Sequence, residues 1–424
     1  MKRNWGGIFL LLAVILLAAL NTGRDLYYHL TYVLSATIIL SFLWTWGSIH
    51  WLKLERQTRS RRSQVGKMAE ERFTVRNTGF FPKLWLEVRD FSDLPGHYAG
   101  QVVSTLGPFR QRGWTVKTIC HRRGRFTLGP ITLTSGDPFG LFKMRRHLSP
   151  TSTMTVYPAT IELPTFAPSL GQLPGGEAMR RRTHYVTTNV AGVREYAPGD
   201  GFNRIHWPST ARTGRLIVKE FELDPTADIW LFLDMQREVQ AGSAWETIPA
   251  REGPALLWKE QPRLELDPTT EEYGVTIAAS LARHFIRLNR AIGLIAYGQH
   301  REMAQADRGD RQLTKLLEIL AVIRAMGRMP IGDVVAVEAS HFNRDTTVVV
   351  ITPSTDEGLA EALRYLGRRG IRAIVVLIEA STFGPAESSL SLLAELIASH
   401  IPSYLVKCGQ PLEEALSQTR QALS

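Results

Sequence analysis

The residues best suited to binding or chemistry lie in one stretch, Arg194–Glu222, which reads REYAPGDGFNRIHWPSTARTGRLIVKEFE. Its guanidinium groups can bind carboxylates or phosphates through paired hydrogen bonds. Its His-Trp pair offers a general base beside a flat stacking surface. The candidate partner-binding or interdomain residues are Arg194, Tyr196, Gly199, Asp200, Arg204, His206, Trp207 and Arg212.

Three interpretations of this stretch stay open. Pro198–Gly201 has the composition of a tight turn, so the stretch could be a structural element that locks two domains together through ion pairs. Internal acidic partners for the arginines are available: Glu195, Asp200, Glu220 and Glu222. The arginines could instead dock an acidic partner. Catalysis is least favoured, because no nucleophile with a base and an orienting carboxylate is discernible, although Ser209 is near.

A second group of candidates follows two predicted strands. Asp234 ends the apolar run DIWLFLD, and Asp356 lies in TPSTDEG, directly after TTVVVITP. Ligands of open parallel sheets bind at the carboxyl ends of the strands. A hydrolase or other enzyme using Asp234, His206 or Asp356 is therefore the alternative to a binding function. The motifs of P-loop ATPases, dinucleotide enzymes, zinc proteases and α/β hydrolases do not occur in the sequence.

Residues 223–424 alternate between apolar strands and amphipathic helices. Strands are predicted at DIWLFLD, AIGLIAYG, TTVVVITP, IRAIVVLIE and SYLVKC. The helix TTEEYGVTIAASLARHFIRLNR begins with a capping box formed by Thr269 and Glu272, and RQLTKLLEILAVIRAM predicts a helix that extends to Met326. This pattern predicts a doubly wound α/β fold with a parallel sheet covered on both faces. Gln236–Pro268 is either a functional loop or disordered.

Residues 56–160 show short alternating runs separated by Gly and Pro, without a helical period. We expect a small β-rich, sandwich-like module. In GDPFGLF, Pro138 and Gly140 favour a turn, and Phe139 and Phe142 are expected to fix that turn to a core. Residues 161–222 comprise a linker, rich in Pro and Gly at Leu163–Ala178, and the arginine-rich stretch.

Residues 1–55 carry two apolar segments joined by a short polar loop. The first, Gly6–Leu20, has no charge, and the second, Leu26–Leu52, has tyrosines near one end and tryptophans near the other. Segments of about 20 apolar residues with interfacial aromatics predict two transmembrane helices. A cleaved signal peptide for the first segment and a buried hairpin in a soluble protein are the alternatives.

The charge distribution predicts the orientation of this hairpin. The net charge is +10, and residues 1–72 hold ten Lys or Arg and four acidic residues. Basic residues lie before the first segment and after the second, so both ends are expected in the cytoplasm, with the soluble domains at the inner face of the cell membrane. Nucleic-acid binding is disfavoured, because the basic residues are not interleaved with aromatics. The two cysteines, Cys120 and Cys408, have no metal-ligand spacing.

The motifs RRGRFTLGP, DPFGLF and REYAPGDGFNRIHWPSTARTGRLIVKEFE, followed by DIWLFLD, resemble the bacterial family of the domain of unknown function fifty-eight. The resemblance covers most of residues 1–235. It implies a last domain of von Willebrand factor A type. It also implies a MoxR-type AAA+ ATPase as the partner class and a role in the assembly or maturation of other complexes. We expect a protein-interaction factor that is not an enzyme and that takes no cofactor or small-molecule substrate.

Domains of the von Willebrand factor A type often hold a divalent ion through an Asp-x-Ser-x-Ser loop after the first strand. Here Gln236 and Glu238 stand where the serines belong, and Arg237 adds a cation beside Asp234. Thr352 or Asp356 could supply further oxygen ligands. The hydroxyl pair is nevertheless missing, and hard cations need several oxygen ligands in a fixed array. We therefore expect a degenerate loop that holds no metal.

Overall fold

The computed structural model describes residues 5–59, 61–149, 152–164, 166, 190–197, 205–221, 228–243, 266–344 and 346–417. They form two compact units. The first comprises residues 1–160, 242–279 and 314–324, and the second comprises residues 161–241, 280–313 and 325–424. Each unit is described separately below.

The first unit begins with two apolar helices, α1 (Trp5–Thr22) and α2 (Asp25–Ile49), joined by a turn at Gly23. α2, with 25 residues, is long and apolar enough to cross a membrane, and α1 is shorter. Large apolar side chains remain about two-thirds exposed on both helices, for example Leu17 on α1 and Val33 on α2. A protein in water rarely exposes so much contiguous apolar surface. The helices thus have the composition of a membrane anchor.

The rest of this unit is mainly β structure. After a connection of two residues, the strands begin at Leu52. They are β1 (Leu52–Thr58), β2 (Arg62–Gln64), β3 (Met68–Asn77), β4 (Lys83–Asp90), β5 (Gln101–Leu106), β6 (Gln111–Ile119), β7 (Gly124–Leu128), β8 (Ile131–Gly136), β9 (Lys143–Leu148) and β10 (Ser152–Tyr157). They form three sheets with the orders β1-β3-β6, β2-β10-β7 and β5-β4-β8-β9. The predicted β-rich region is confirmed, and its sandwich-like type stays a prediction.

Alternation along the strands builds the core of this module. Phe73 and Val75 on β3 and Leu86 on β4 are fully buried, and they share one apolar cluster with residues of β5 and β8. The sheets containing β3 and β4 therefore meet through their apolar faces, as the period-two pattern requires.

The GDPFGLF turn between β8 and β9 differs from the prediction in one residue. Gly140 has φ 75°, and the Asp137 carboxylate accepts hydrogen bonds from the backbone N–H groups of Phe139 and Phe142. Phe142 is buried, but Phe139 is 69% exposed. The expectation that Phe139 fixes the turn to a core is wrong, because Asp137 already holds the tip from inside.

The second unit contains a sheet of six strands: β13 (Ile229–Leu233), β14 (Ile292–Tyr297), β15 (Arg301–Asp307), β16 (Thr347–Thr352), β17 (Arg372–Ile378) and β18 (Ser403–Val406). Their order in the sheet is β15-β14-β13-β16-β17-β18. All neighbouring pairs are parallel except β14 with β15. The sheet is thus mostly parallel. The antiparallel edge strand β15 was not predicted, because REMAQAD is polar on its exposed side.

Helices follow these strands as the alternating pattern predicts. They are α4 (Thr270–Arg287), α5 (Gly309–Val322), α6 (Ile331–Glu338), α7 (Gly358–Arg368), α8 (Leu390–Ala398) and α9 (Leu412–Ala415). Apolar side chains of α6, α7 and α8 pack with Phe232, Val350 and Leu377 of the sheet in one buried cluster. The helix predicted to extend to Met326 ends four residues earlier, and α6 was not predicted.

A small hairpin precedes the sheet. β11 (Val190–Glu195) pairs antiparallel with β12 (Ile217–Phe221), and α3 (Trp207–Thr213) lies between them. Gly214 ends α3 with φ 68°, the left-handed conformation that suits glycine at this position. The strand predicted within RLIVKEF is present as β12. The two-turn helix α3 was expected as part of a loop.

Candidate functional site

The candidate site lies at the carboxyl ends of the two central strands, β13 and β16. Asp234 follows β13, and its Oδ2 accepts a hydrogen bond of 2.6 Å from the hydroxyl of Thr352, the last residue of β16. Its Oδ1 accepts the backbone N–H of Gln236 at 2.9 Å. Asp234 is 3% exposed. The carboxylate is therefore used inside the protein to join two strand ends that are 118 residues apart.

Burial determines the protonation of this carboxyl group. Desolvation raises the pKa of Asp234 to about 6, hydrogen bonds from Thr352 and Gln236 partly oppose the shift, and the negative charge of Asp356 adds to it. A buried carboxyl group with few compensating donors takes up a proton more readily than an exposed one. Asp234 thus titrates close to neutral pH.

A loop of residues 325–330, which we call the Met loop, lies beside Asp234. The N–H of Gly327 donates to the carbonyl of Met235 at 2.8 Å, and the N–H of Arg237 donates to the carbonyl of Gly327 at 2.9 Å. A Cβ atom on Gly327 would collide with the carbonyl oxygens of Tyr297 and Met235. Only glycine permits this close approach of two backbone segments.

The Met loop presents apolar side chains to solvent. Met326 is 62% exposed and Met329 is 38% exposed. Arg328 of the loop and the adjacent Arg237 are exposed as well. Sequence reasoning missed these residues because Met326 was assigned to a helix. The available signal was the Gly-Arg-Met-Pro run, which interrupts the helical pattern before α6.

The residues considered as metal ligands differ in their exposure to solvent. Gln236 is 7% exposed and forms a bridge with Gly327, whereas Glu238 is exposed. The carboxylate of Asp356 accepts the N–H of Gly358 at 3.0 Å. Its own N–H donates to Ser354 Oγ at 3.1 Å. The hydrogen bonds of Asp234 and Asp356 are those of a structural loop, and the absence of a metal here stays an expectation.

The arginine-rich stretch lies partly outside the described residues. Gly199, Asp200 and Arg204 fall there, and of Arg194 only the backbone, in β11, is described. Of the predicted acidic partners, Glu195 forms an ion pair of 2.9 Å with Arg215, and both side chains are exposed. Arg212 is exposed on α3, and it forms no ion pair with any residue in the described parts of the chain.

Tyr196, His206 and Trp207 belong to the hairpin. The backbone N–H groups of Tyr196 and His206 donate to the carbonyls of Leu216 and Ile217 at 2.9 and 2.8 Å, which attaches these two residues to the start of β12 and to the residue before it. Trp207 is 64% exposed. The short helix α3 thus exposes an indole and the guanidinium of Arg212, two residue types that are enriched at interaction surfaces.

His206 and Ser209 form the one hydroxyl–imidazole contact in this stretch among the described residues. His206 Nδ1 lies 2.7 Å from Ser209 Oγ. The two residues are three apart at the start of α3, where the N–H of Ser209 also donates to the carbonyl of His206. A catalytic pair needs a third group that orients the base. No described carboxylate contacts this imidazole, so the contact has the character of a helix-start hydrogen bond.

Asp234 variants separate a structural role from a catalytic one. We expect Asp234→Asn to keep the stability of the parent at pH 7, because the amide can accept from Gln236 N–H and donate to Thr352 Oγ. Asp234→Ala leaves both partners unsatisfied and should cost about 2–4 kcal/mol. Thermal unfolding of the full chain in detergent measures both. Equal losses in the two variants would contradict the structural role.

The pH dependence gives the matching control. The folded pKa of Asp234, about 6, is above its ordinary value of 3.8. Its contribution to stability is therefore fully present below about pH 4 and is lost as the pH rises through 6. This loss should be present in the parent and absent in Asp234→Asn.

Comparisons with known proteins find similarity around the arginine-rich stretch. Residues 192–251 match the family described as Protein of unknown function DUF58. The uncharacterized protein YeaD of Bacillus subtilis (strain 168) is 21% identical over 248 residues, which are 58% of this chain and 55% of that relative. The match thus spans about half the length of the relative.

Among solved structures, the CARDB domain of a Pyrococcus furiosus protein in complex with di-metal ions covers 25% of this chain and 91% of that domain, with 21% identity and a TM-score of 0.19. The C-terminal domain of wzt covers 26% of this chain and 75% of that domain, with 9% identity and a TM-score of 0.20. Scores of this size define neither the fold nor a ligand of this chain. The similarity to the DUF58 family is thus carried by residues 192–251, and the Bacillus subtilis relative is a distant one.

Proposed function

We propose that this chain is a membrane-anchored protein-interaction factor that assists the assembly of other proteins and has no catalytic activity of its own. The partner class is a MoxR-type AAA+ ATPase, which docks at the carboxyl edge of the six-stranded sheet. The soluble domains lie on the cytoplasmic side of the cell membrane. Neither a nucleic acid nor a small-molecule substrate belongs to this function.

The two apolar helices support the membrane anchor. Leu10 and Leu17 on α1 and Val33 and Leu40 on α2 are each 64–66% exposed. In water, each such side chain forgoes about 1.5–3 kcal/mol of burial energy, and lipid supplies that environment instead. The basic residues on both flanks favour cytoplasmic ends for the pair by the positive-inside rule.

The strand order supports an α/β domain of the doubly wound, von Willebrand factor A type. The chain forms β13 first and adds β14 and β15 on one side, then β16, β17 and β18 on the other. The order of the strands therefore reverses beside β13. Open α/β sheets bind their ligands at such a reversal, outside the carboxyl ends of the strands.

The contrast between Asp234 and the Met loop supports docking rather than catalysis. The best candidate for chemistry, Asp234, has both carboxylate oxygens occupied by internal donors. Directly beside it, the Met loop exposes Met326 and Met329. Methionine side chains adapt to irregular apolar surfaces of a partner and are frequent where proteins bind one another. The site is therefore arranged to present an apolar surface to a partner protein.

Replacement of the exposed methionines tests the proposal. In the full chain, Met326→Ser with Met329→Ser should weaken binding of the MoxR-type ATPase from the same organism by at least about tenfold, the effect of a lost central apolar anchor. The measurement is binding of the purified ATPase to the chain in nanodiscs by biolayer interferometry, with ATP present.

Tyr365→Ser is the matched control. Tyr365 is 48% exposed near the end of α7, at the opposite edge of the sheet, and its loss should leave binding unchanged. Unchanged binding in the methionine variant would reject docking at the Met loop. If the parent does not bind the ATPase, the partner class is wrong.

A further inference from the structure

Three connections of the β module lie at the end where α2 stops. The start of β1 and these connections lie at one end of the module, as three strand pairings show: Leu52 with Asn77, Lys83 with Leu106, and Gly136 with Lys143. We call loops 78–82, 107–110 and 137–142 the aromatic tips. The Asn77 side chain joins the first two, since its Nδ2 donates to the carbonyls of Phe81 and Gly107 at 2.8 and 3.0 Å.

Each tip exposes a phenylalanine. Phe80, Phe109 and Phe139 are 80%, 56% and 69% exposed, and the rings of Phe80 and Phe109 meet edge to face at 5.0 Å. Phe109 also has φ 59°, an uncommon backbone conformation for a bulky side chain. The module has an ordered apolar core of its own, so these rings are not needed to fill it.

The tips lie alongside the last two turns of α2. Phe142 contacts the ring of Phe42 at 5.7 Å, and Phe81 contacts Trp44 at 6.4 Å. Phe42 is seven residues before the end of α2, or roughly 10 Å along the helix axis. About 20 of the 25 residues of α2 suffice to cross the hydrocarbon core. A span that starts at Asp25 ends near Trp44, at the level where the tips make contact.

Lys83 fixes the module to the helix end. Its Nζ donates to the carbonyl of Gly47, one of the last carbonyls of α2, and it lies 5.9 Å from the ring centre of Trp51. A lysine cation at a helix carboxyl end satisfies these carbonyls and the helix dipole. The height of the tips along α2 is therefore set by specific contacts.

The charge at this end is positive. In residues 76–83, 106–112 and 136–145 the only acidic residue is Asp137, whose carboxylate holds the turn. Besides the buried Lys83, the basic residues in these stretches are exposed: Arg76, Arg110, Arg112, Lys143 and Arg145. Exposed cations beside exposed aromatic rings suit a bilayer interface that contains anionic headgroups.

We propose that the aromatic tips form a lipid-facing surface, which lies in the headgroup region of the bilayer that α2 crosses. Phe80, Phe109 and Phe139 insert among the headgroups, and the neighbouring cations bind anionic lipid. This inference rests on the membrane anchor proposed above. The β module then always turns this surface toward the membrane, and the bilayer thereby determines the orientation of the module.

Site-directed spin labelling of the full chain tests this surface. In a Cys408→Ser background, with Cys120 buried and unlabelled, single variants Phe109→Cys and Phe139→Cys carry a nitroxide in vesicles of phosphatidylcholine and phosphatidylglycerol. Collision with oxygen, relative to collision with a water-soluble nickel chelate, should be several-fold higher than for a label at Tyr98→Cys. Tyr98 is 71% exposed between β4 and β5, at the opposite end of the module.

Two further measurements distinguish failure of the lipid-facing surface from failure of the membrane anchor and from failure of anionic-lipid binding. A label at Val33→Cys in α2 should report the hydrocarbon core. If it does so while the labels at 109 and 139 report water, the lipid-facing surface is rejected and the anchor stands. If the label at 33 reports water, the anchor itself is rejected. The tip labels should also lie deeper with phosphatidylglycerol than with phosphatidylcholine alone, and equal depth would reject binding of anionic headgroups.

Discussion

Replacing Arg56 by methionine is expected to destabilise the β module by about 3–5 kcal/mol, the usual cost of breaking a buried ion pair on one side. Arg56 Nη2 lies 2.5 Å from Glu71 Oε2 and 3.3 Å from Asp90 Oδ2. His97 Nε2 contacts the same two carboxylates at 3.2 and 3.0 Å. Both carboxylates are 1% exposed, so without the guanidinium two buried anions share one histidine.

Hydrogen exchange of the β3 and β6 amides in the full chain measures this loss. Arg59→Met is the control, because Arg59 is 80% exposed and pairs with Glu70 nearby, and it should change stability by no more than about 0.5 kcal/mol. A loss below about 1 kcal/mol in Arg56→Met would show that His97 alone compensates both anions.

The pH dependence of the same variant has a defined sign. Although burial acts to raise it, the pKa of Asp90 is held below its ordinary value by hydrogen bonds from His97 and Ser92 and by the charge of Arg56. The stabilisation from Asp90 is present above its unfolded pKa of 3.8 and is lost as the pH falls through the lower folded value. In Arg56→Met the carboxyl group of Asp90 loses the positive charge that helps to lower its pKa and takes up a proton more readily, so the deficit relative to the parent should shrink between pH 7 and pH 4.

Arg123→Met should have a comparable effect on the first unit, again about 3–5 kcal/mol. Arg123 is fully buried, and its Nη2 donates to Glu271 Oε1 at 2.6 Å and to the carbonyl of Ile323 at 2.8 Å. Nη1 forms an ion pair with Glu272. Loss of the planar guanidinium group leaves two glutamates at the start of α4 without their closest cation. The ammonium group of Arg123→Lys cannot reproduce the geometry of the guanidinium.

Arg125→Met is the matched control, since Arg125 is exposed two residues further along the same segment. Hydrogen exchange of the β7 amides and of the first turns of α4 reports the result. An effect of Arg123→Met no larger than that of Arg125→Met would mean that Arg324, 3.2 Å from Glu271, carries the compensation alone.

The contacts of Arg123 also explain why only one half of the predicted capping box forms. Thr269 Oγ1 accepts the N–H of Glu272 at 3.2 Å, as expected for the start of a helix. The Glu272 side chain forms ion pairs with Arg123 and Arg324. Local spacing reveals the first contact. The second depends on residues distant in sequence, and no local pattern indicates it.

The same distinction separates what could be predicted of the site from what could not. Strand ends are visible in the sequence, so Asp234 and Thr352 were expected at one edge of the sheet. Their direct contact depends on which strands are neighbours, and five apolar strands permit many orders. The Met loop was missed because Met326 fits a helical pattern and only Gly327 interrupts it. Phe139 was assigned to a core because apolarity alone does not indicate which face a turn presents.

The connection between α2 and β1 consists of His50 and Trp51 alone. From Ile49 to Leu52 the chain can extend at most about 11 Å, three steps of 3.8 Å. With α2 in a bilayer, as proposed above, the β module on so short a connection stays at the membrane surface. On a membrane, its encounters are confined to a layer a few nanometres deep, where a second protein recruited to the same surface meets it by two-dimensional diffusion and at a raised local concentration.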